Sequence, residues 1–340
     1  MTKTDASTSP SLPSPGSSSF GSTIGPILRA REFAIFAFLI VMSLSIGFAR
    51  PTFFGTGNLL AMGRQMAELT IMGVAMTFLI TAQELDLSVG SIYGLCSLTM
   101  ALVAQEYEIN LWLSLALVLA LAAGLGLING LITTRGKIPA FIVTLGMLYI
   151  LRGIALIESP WPISGLENPS FFAALDGEIS DVPVQIFWML GFVIAGTLVL
   201  RRTTFGYHVR ATGSNRVAAE LSGIRVRRVK ILAFVLTAVT SGFAGAMSFA
   251  HLGSASPLAG TGYELNVIAA VVIGGTALFG GQGTVIGTFL GAALLTIMRN
   301  GLVQLGGEGR LQDAFLGAII IIAVLVHTHL SLRRKLKWES

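Results

Sequence analysis

Residues 111–133 read LWLSLALVLALAAGLGLINGLIT, an unbroken run of 23 residues without one charged side chain. A helix that crosses a bilayer needs about 20 predominantly apolar residues. This stretch therefore decides the class of protein, and the rest of the chain agrees with it. Of 340 residues 53% are hydrophobic and 11% charged, and the mean hydropathy is +0.78. A soluble surface carries roughly 25–35% charged side chains, which this composition cannot supply. Outward from 111–133, further apolar runs lie at 33–49, 66–83, 88–105, 138–157, 184–200, 230–251, 264–279, 283–301 and 312–331. The expectation is an all-α polytopic membrane protein with about ten transmembrane helices. Some are short or discontinuous, because 66–94 and 264–291 are broken by glycine and polar residues.

Residues 1–28, rich in Ser, Thr, Pro and Gly, read as a disordered cytoplasmic tail. The tail carries no secretory signal pattern. Residues 29–332 form the transmembrane domain, and 333–340 a basic C-terminus. The charges orient the chain. Seventeen of the 22 Lys and Arg residues lie in the tail or just after it (Lys3, Arg29, Arg31), in the 134–137 turn, in the 201–229 loop with Lys230 at its edge, and in the C-terminus. The loop 158–183 holds Glu158, Glu167, Asp176, Glu178 and Asp181 and no basic residue. Basic loops stay inside, so both termini and 201–229 are expected in the cytoplasm and 158–183 in the periplasm. The net charge of +5 then marks topology, and no nucleic-acid partner is expected.

Several chemistries are excluded. A phosphate-cradling loop needs four residues between its glycines and Ser or Thr after the lysine. The nearest approach, Gly130 to Gly136-Lys137, has five between and Ile138 after. No cofactor is therefore expected on this chain; if ATP and Mg are used, a partner binds them. His208, His251, His327 and His329 form no metal or hydrolytic constellation, and the single Cys96 excludes an internal disulfide. The chain reads as a transport subunit and not an enzyme. Small residues at four-residue spacing, Ala122/Gly126/Gly130, Gly90/Gly94 and Gly283/Gly287/Gly291, suit close helix packing in lipid.

Two polar segments stand out. In 201–229, Ser214 can cap a helix beginning at Asn215 and Gly223 can end it. That helix is too short to stand alone. It either lies on the membrane surface, its basic residues touching anionic lipid, or docks in a groove of a cytoplasmic partner. In Gln83-Glu84-Leu85-Asp86-Leu87-Ser88-Val89-Gly90, Asp86 or Ser88 is placed to cap the following helix.

Leu85-Asp86-Leu87-Ser88-Val89-Gly90, Asn129-Gly130, Ile138-Pro139-Ala140-Phe141-Ile142-Val143-Thr144-Leu145-Gly146, Arg152-Gly153, the 211–224 segment, and Glu264-Leu265 through Gly274-Gly275-Thr276 together resemble one family. It is the permease subunit of bacterial ATP-binding-cassette (ABC) monosaccharide importers, the ribose, arabinose, galactose and xylose permease group. Gln83-Glu84 departs from it, since the family often has Gly-Gly there.

The resemblance implies partners: cassette ATPase subunits, a periplasmic sugar-binding protein and a second permease copy in a homodimer or heterodimer, all at the inner membrane. It implies that Gly213, Asn215, Ala218, Ala219, Glu220 and Gly223 belong to an ATPase coupling helix. Ser88, Asn129, Thr144 and Thr276, polar residues in apolar helices, are candidates for the translocation path. Interhelical hydrogen bonding is the competing role for each. Arg50, Arg64, Arg152, Arg299 and Arg310, the basic residues left on the outer side, are candidates for docking the binding protein. The alternative from another class is an ion- or proton-coupled secondary transporter with Glu84, Asp86 or Glu264 as proton carrier.

Overall fold

The computed structural model describes residues 31–307 and residues 314, 317 and 318. The tail 1–28, most of the segment 312–331, Arg310 and the C-terminus 333–340 lie outside the described residues. The helices in chain order are α1 (Arg31–Ala49), α2 (Thr56–Thr81), α3 (Val89–Glu106), α4 (Leu111–Gly136), α5 (Ala140–Glu158), α6 (Pro169–Asp176), α7 (Val184–Arg202), α8 (Thr204–Ser214), α9 (Arg216–Leu221), α10 (Val226–Leu252), α11 (Tyr263–Ile273) and α12 (Val285–Gln304). Each apolar run between residues 33 and 301 overlaps one of them, although α11 stops at Ile273, short of the run 264–279. Two two-residue antiparallel pairings, Ile163–Ser164 with Ser254–Ala255 and Glu178–Ile179 with Val182–Pro183, are the only sheet among the described residues.

Among the described residues six helices, α1, α4, α5, α7, α10 and α12, are long and apolar enough to cross a membrane. Their burial separates centre from periphery. The most apolar window of α10 is 72% buried, against 17% for α1, 22% for α7 and 28% for α5. The peripheral helices present Phe36, Phe38, Val41, Phe141, Ile142, Ile150, Ile194 and Leu198 outward, as a hydrocarbon solvent permits. In α4 the logic of a soluble amphipathic helix is inverted. The face packed inside includes Ser114, Ala122, Gly126, Asn129, Gly130 and Thr133, while Leu113, Leu117, Leu121, Leu127 and Ile128 face out. Small residues bring backbones together where lipid gives no hydrophobic advantage to packing leucine inward. A Cβ added at Gly126 would stand 2.8 Å from the Cα of Val235 on α10, and one at Gly130 2.9 Å from the Cα of Ile231.

The two glycine-broken regions are discontinuous, as expected. Residues 70–82 and 86–98 are buried throughout, so α2, the turn 83–88 and α3 lie at the centre. Helix α11 has 11 residues, a rise of about 16 Å and only half a bilayer. It is preceded by irregular backbone at 256–262, where Gly260 and Gly262 take φ +72° and +81°. This segment lies in the groove made by Gly90 and Gly94 of α3, where a Cβ would collide with the carbonyls of Gly260 and Ala259. Irregular backbone at membrane depth survives only where protein satisfies its polar groups. Arg152 of α5 does so, its Nη1 donating to the carbonyls of Ala259 at 2.8 Å and Pro257 at 3.2 Å.

Candidate functional site

The basic end of the molecule gathers the turn 83–88, helices α8 and α9, and the loop before α12. Thr203 opens α8 by accepting from Gly206 N at 3.2 Å. Asn215, and not Ser214, is the cap of α9: its Oδ1 accepts from Ala218 N at 3.0 Å, and the helix begins at Arg216. Gly223 ends the motif with φ +82°, the left-handed conformation that glycine adopts without strain.

These two short helices are stable because they are anchored. Ala219 is buried with Val209, Leu200, Ile224 and Phe78, and Phe205 stacks on Phe78 with ring centroids 5.9 Å apart. Gly213 is pressed against the end of α2 and the loop before α12, where a Cβ would stand 2.6 Å from Gly281 N and collide with the Thr81 carbonyl. Gly281 N itself donates to Thr81 O at 2.9 Å. Of the coupling residues expected from sequence, Gly213 and Ala219 are thus anchors, while Asn215, Ala218, Glu220 and Gly223 are exposed. The same outer face carries Val217, 65% exposed, and Leu221, 86% exposed. Two bare apolar side chains flanked by Arg216 and Glu220, paired at 3.0 Å, make a small exposed knob. Val217 was not singled out by the sequence, because its neighbours Ala218 and Ala219 carried the signal.

Beside this knob runs a groove of about 810 Å³ lined by Lys137, Arg216, Arg225, Arg227, Arg228 and Lys230, with Glu84 among them. Lys230 Nζ donates to Glu84 Oε1 at 2.6 Å, with 11% and 14% of the two side chains exposed. The pair ties the central turn to the start of α10. Gln83, next to it, takes φ +64°, a region costing a non-glycine residue about 1 kcal/mol or more. That geometry explains why glycine suits this position.

Deeper in, Asp86, Ser88, Asn129 and Thr144 form one buried polar cluster, each with no exposed surface. Asp86 Oδ1 accepts from Ser88 N at 2.8 Å and from Ser88 Oγ at 2.5 Å. Asn129 Nδ2 donates to Ser88 Oγ at 2.9 Å, and Leu87 N to Thr144 Oγ1 at 3.0 Å. Asp86 therefore holds the backbone just ahead of α3, while the side chain of Ser88 makes no cap bond to the helix. Thr276, also buried, accepts from Thr284 N at 3.4 Å. All four candidates for the path make hydrogen bonds between segments within this chain.

At the acidic end, Arg64 pairs with Glu178 at 2.7 Å, Thr99 donates to Glu158 at 2.8 Å, and His251 meets Asp176 at 2.8 Å. Asn58 and Asn300 exchange amide hydrogen bonds at 3.0 and 2.7 Å, joining α2 to α12. Arg50 is exposed, Arg152 is occupied with the 257–259 carbonyls, and Arg299 lines a cavity. Glu264 is half-buried near Gly90. No group of three or more His, Cys, Asp or Glu suited to a metal occurs among the described residues.

A helical bundle with exposed lipid-type faces, interrupted central helices and a capped helix pair projecting from its basic end defines a membrane transport subunit. Comparison with known proteins makes the class specific. Residues 58–324 match the family described as branched-chain amino acid transport system / permease component. The chain is 37% identical over 293 residues to the ribose import permease RbsC of Escherichia coli K12, covering 85% of this chain and 91% of that one. It is 40% identical to the Bacillus subtilis ribose import permease, over 85% and 90% of the two chains. It is 32% identical to the xylose/arabinose import permease XylH of Sulfolobus acidocaldarius, over 81% and 78%. No solved structure matches it. The chain belongs to this permease family and is a multi-pass inner-membrane permease of the sugar-importing ABC type.

Proposed function

We propose that this chain is the membrane-spanning subunit through which an ABC importer carries a monosaccharide, a pentose, a hexose or a related sugar, into the cytoplasm, with ATP hydrolysed on a separate subunit. The observation that carries the reading is the exposed knob. A short helix pair fixed to the end of α2 and the loop before α12 through Gly213, Thr81 and Gly281 exposes Val217 and Leu221 at the basic end, which the positive-inside bias assigns to the cytoplasm. A cassette ATPase gripping that knob would move the end of α2 and the loop before α12 together, because both meet Gly213 there. The chain then needs no nucleotide site or cofactor of its own.

About ten crossings with both termini inside, a second permease copy against the exposed apolar faces, contact with membrane lipid, and a periplasmic binding protein at the acidic end complete the proposal. Arg50 is exposed there to meet such a protein, with Arg64, Arg299 and Arg310 as further candidates; Arg152 is given an internal role by its carbonyl contacts. The secondary-transporter alternative, with Glu84, Asp86 or Glu264 as carrier, is not favoured, since the relatives are sugar import permeases; Glu84 is also paired with Lys230 and Asp86 with Ser88. Replacing an exposed apolar anchor of a docking helix with a charge costs about 2 kcal/mol or more of association. Leu221→Asp should therefore lose co-purification of the ATPase subunit while the permease alone keeps its melting temperature. Retention of the ATPase by the variant would contradict the coupling role.

A further inference from the structure

Within the outer half of the bundle, three helices turn polar faces toward one space. On α12, Thr296, Arg299 and Asn300 recur at spacings of three and four, one helical face. Tyr263 and Asn266 of α11 and Gln65 of α2 close on the same space, a cavity of about 400 Å³. That volume is within the roughly 300–1,000 Å³ of small-molecule sites.

The cavity has unmet hydrogen-bonding capacity. Asn266 is 5% exposed, and its Oδ1, like Arg299 Nε, has no hydrogen-bond partner among the described residues. A buried amide left so costs about 1–3 kcal/mol. Tyr263 is held in place, its ring 5.1 Å from that of Tyr93, whose hydroxyl donates to Glu68 at 2.8 Å. An aromatic face beside donors and acceptors suits a polyhydroxylated ring, apolar on its C–H face and polar at its edge.

We propose that this cavity is a station for the transported sugar, with the Asn266 amide and Arg299 guanidinium bonding its hydroxyls and Tyr263 covering its ring face. The proposal rests on the sugar-importer reading and extends it to residues outside the 83–88 turn. Cys96 is buried, so Thr296→Cys provides a single accessible reporter thiol in the full chain assembled with its own ATPase and binding protein. A membrane-impermeant cationic thiosulfonate should modify it. Of D-ribose, D-xylose, L-arabinose and D-galactose, the one that supports uptake should slow modification by about fivefold or more, as an occupied site must.

Asn266→Leu should lower uptake of that sugar about tenfold, the equivalent of one lost hydrogen bond to a buried group. The variant should still assemble with the ATPase subunit in parental yield, which separates loss of the site from loss of folding. An inert thiol, absent protection, or parental uptake by Asn266→Leu would overturn the assignment of this cavity alone. If the unmutated assembly takes up none of the four sugars, the importer reading falls and the sugar assignment with it.

Discussion

Gly213→Ala is expected to disable the transporter, although it adds one methyl group. The new Cβ would meet backbone on both sides, the Thr81 carbonyl and, at 2.6 Å, Gly281 N. Backbone cannot rotate aside as a flexible side chain can. Overpacking of this kind costs typically about 1–3 kcal/mol and sometimes more. It would also prise apart the bond from Gly281 N to Thr81 O, worth about 1 kcal/mol. The expected result is a lowered melting temperature and uptake reduced to background, because α8 would no longer transmit displacement to α2 and the loop before α12. Gly223→Ala is the matched control. Gly223 has φ +82° and nothing within 4 Å of an added Cβ, so only about 1 kcal/mol of backbone strain is added. Equal damage from both substitutions would show that left-handed backbone, and not the three-way junction, is what matters.

The second large effect is expected at Lys230. Lys230→Met removes one partner of a pair with 11% and 14% of its side chains exposed and leaves Glu84 charged and largely desolvated. Breaking a buried pair costs about 3–5 kcal/mol, against at most about 1 kcal/mol for a surface pair. The variant should unfold at a lower temperature and accumulate poorly in the membrane. Combining it with Glu84→Gln should restore most of the loss, because the unpaired charge and not the missing contact is the main penalty. A double variant no better than Lys230→Met would mean that the lysine acts on something other than Glu84.

Much of the architecture was legible because the hydrocarbon solvent imposes a coarse pattern. The uncharged run 111–133 lies inside α4 (Leu111–Gly136), and the small-residue spacings at 122–130 and 90–94 mark places where backbones touch. The glycines mark 264–291 as broken, but the run 264–279 reads as one helix, and α11 ends six residues earlier at Ile273. What stayed hidden depends on contacts between distant residues. Arg152 looked like a free outer cation, yet it satisfies carbonyls at 257 and 259, about a hundred residues away. Glu84 resembled a candidate proton carrier until Lys230, in a loop read only for its charge, proved to be its partner. Ser214 and Asn215 are both good caps by composition, and only the bond to Ala218 N separates them. The cavity at Asn266 and Arg299 is assembled from three helices, none of which marks it alone.

The most direct test of the account is uptake in proteoliposomes holding the chain with its ATPase and binding protein. Sugar entry should require binding protein and internal ATP, stop with vanadate, and persist when the proton gradient is collapsed. Entry that follows an imposed proton gradient without the ATPase subunit would contradict the account.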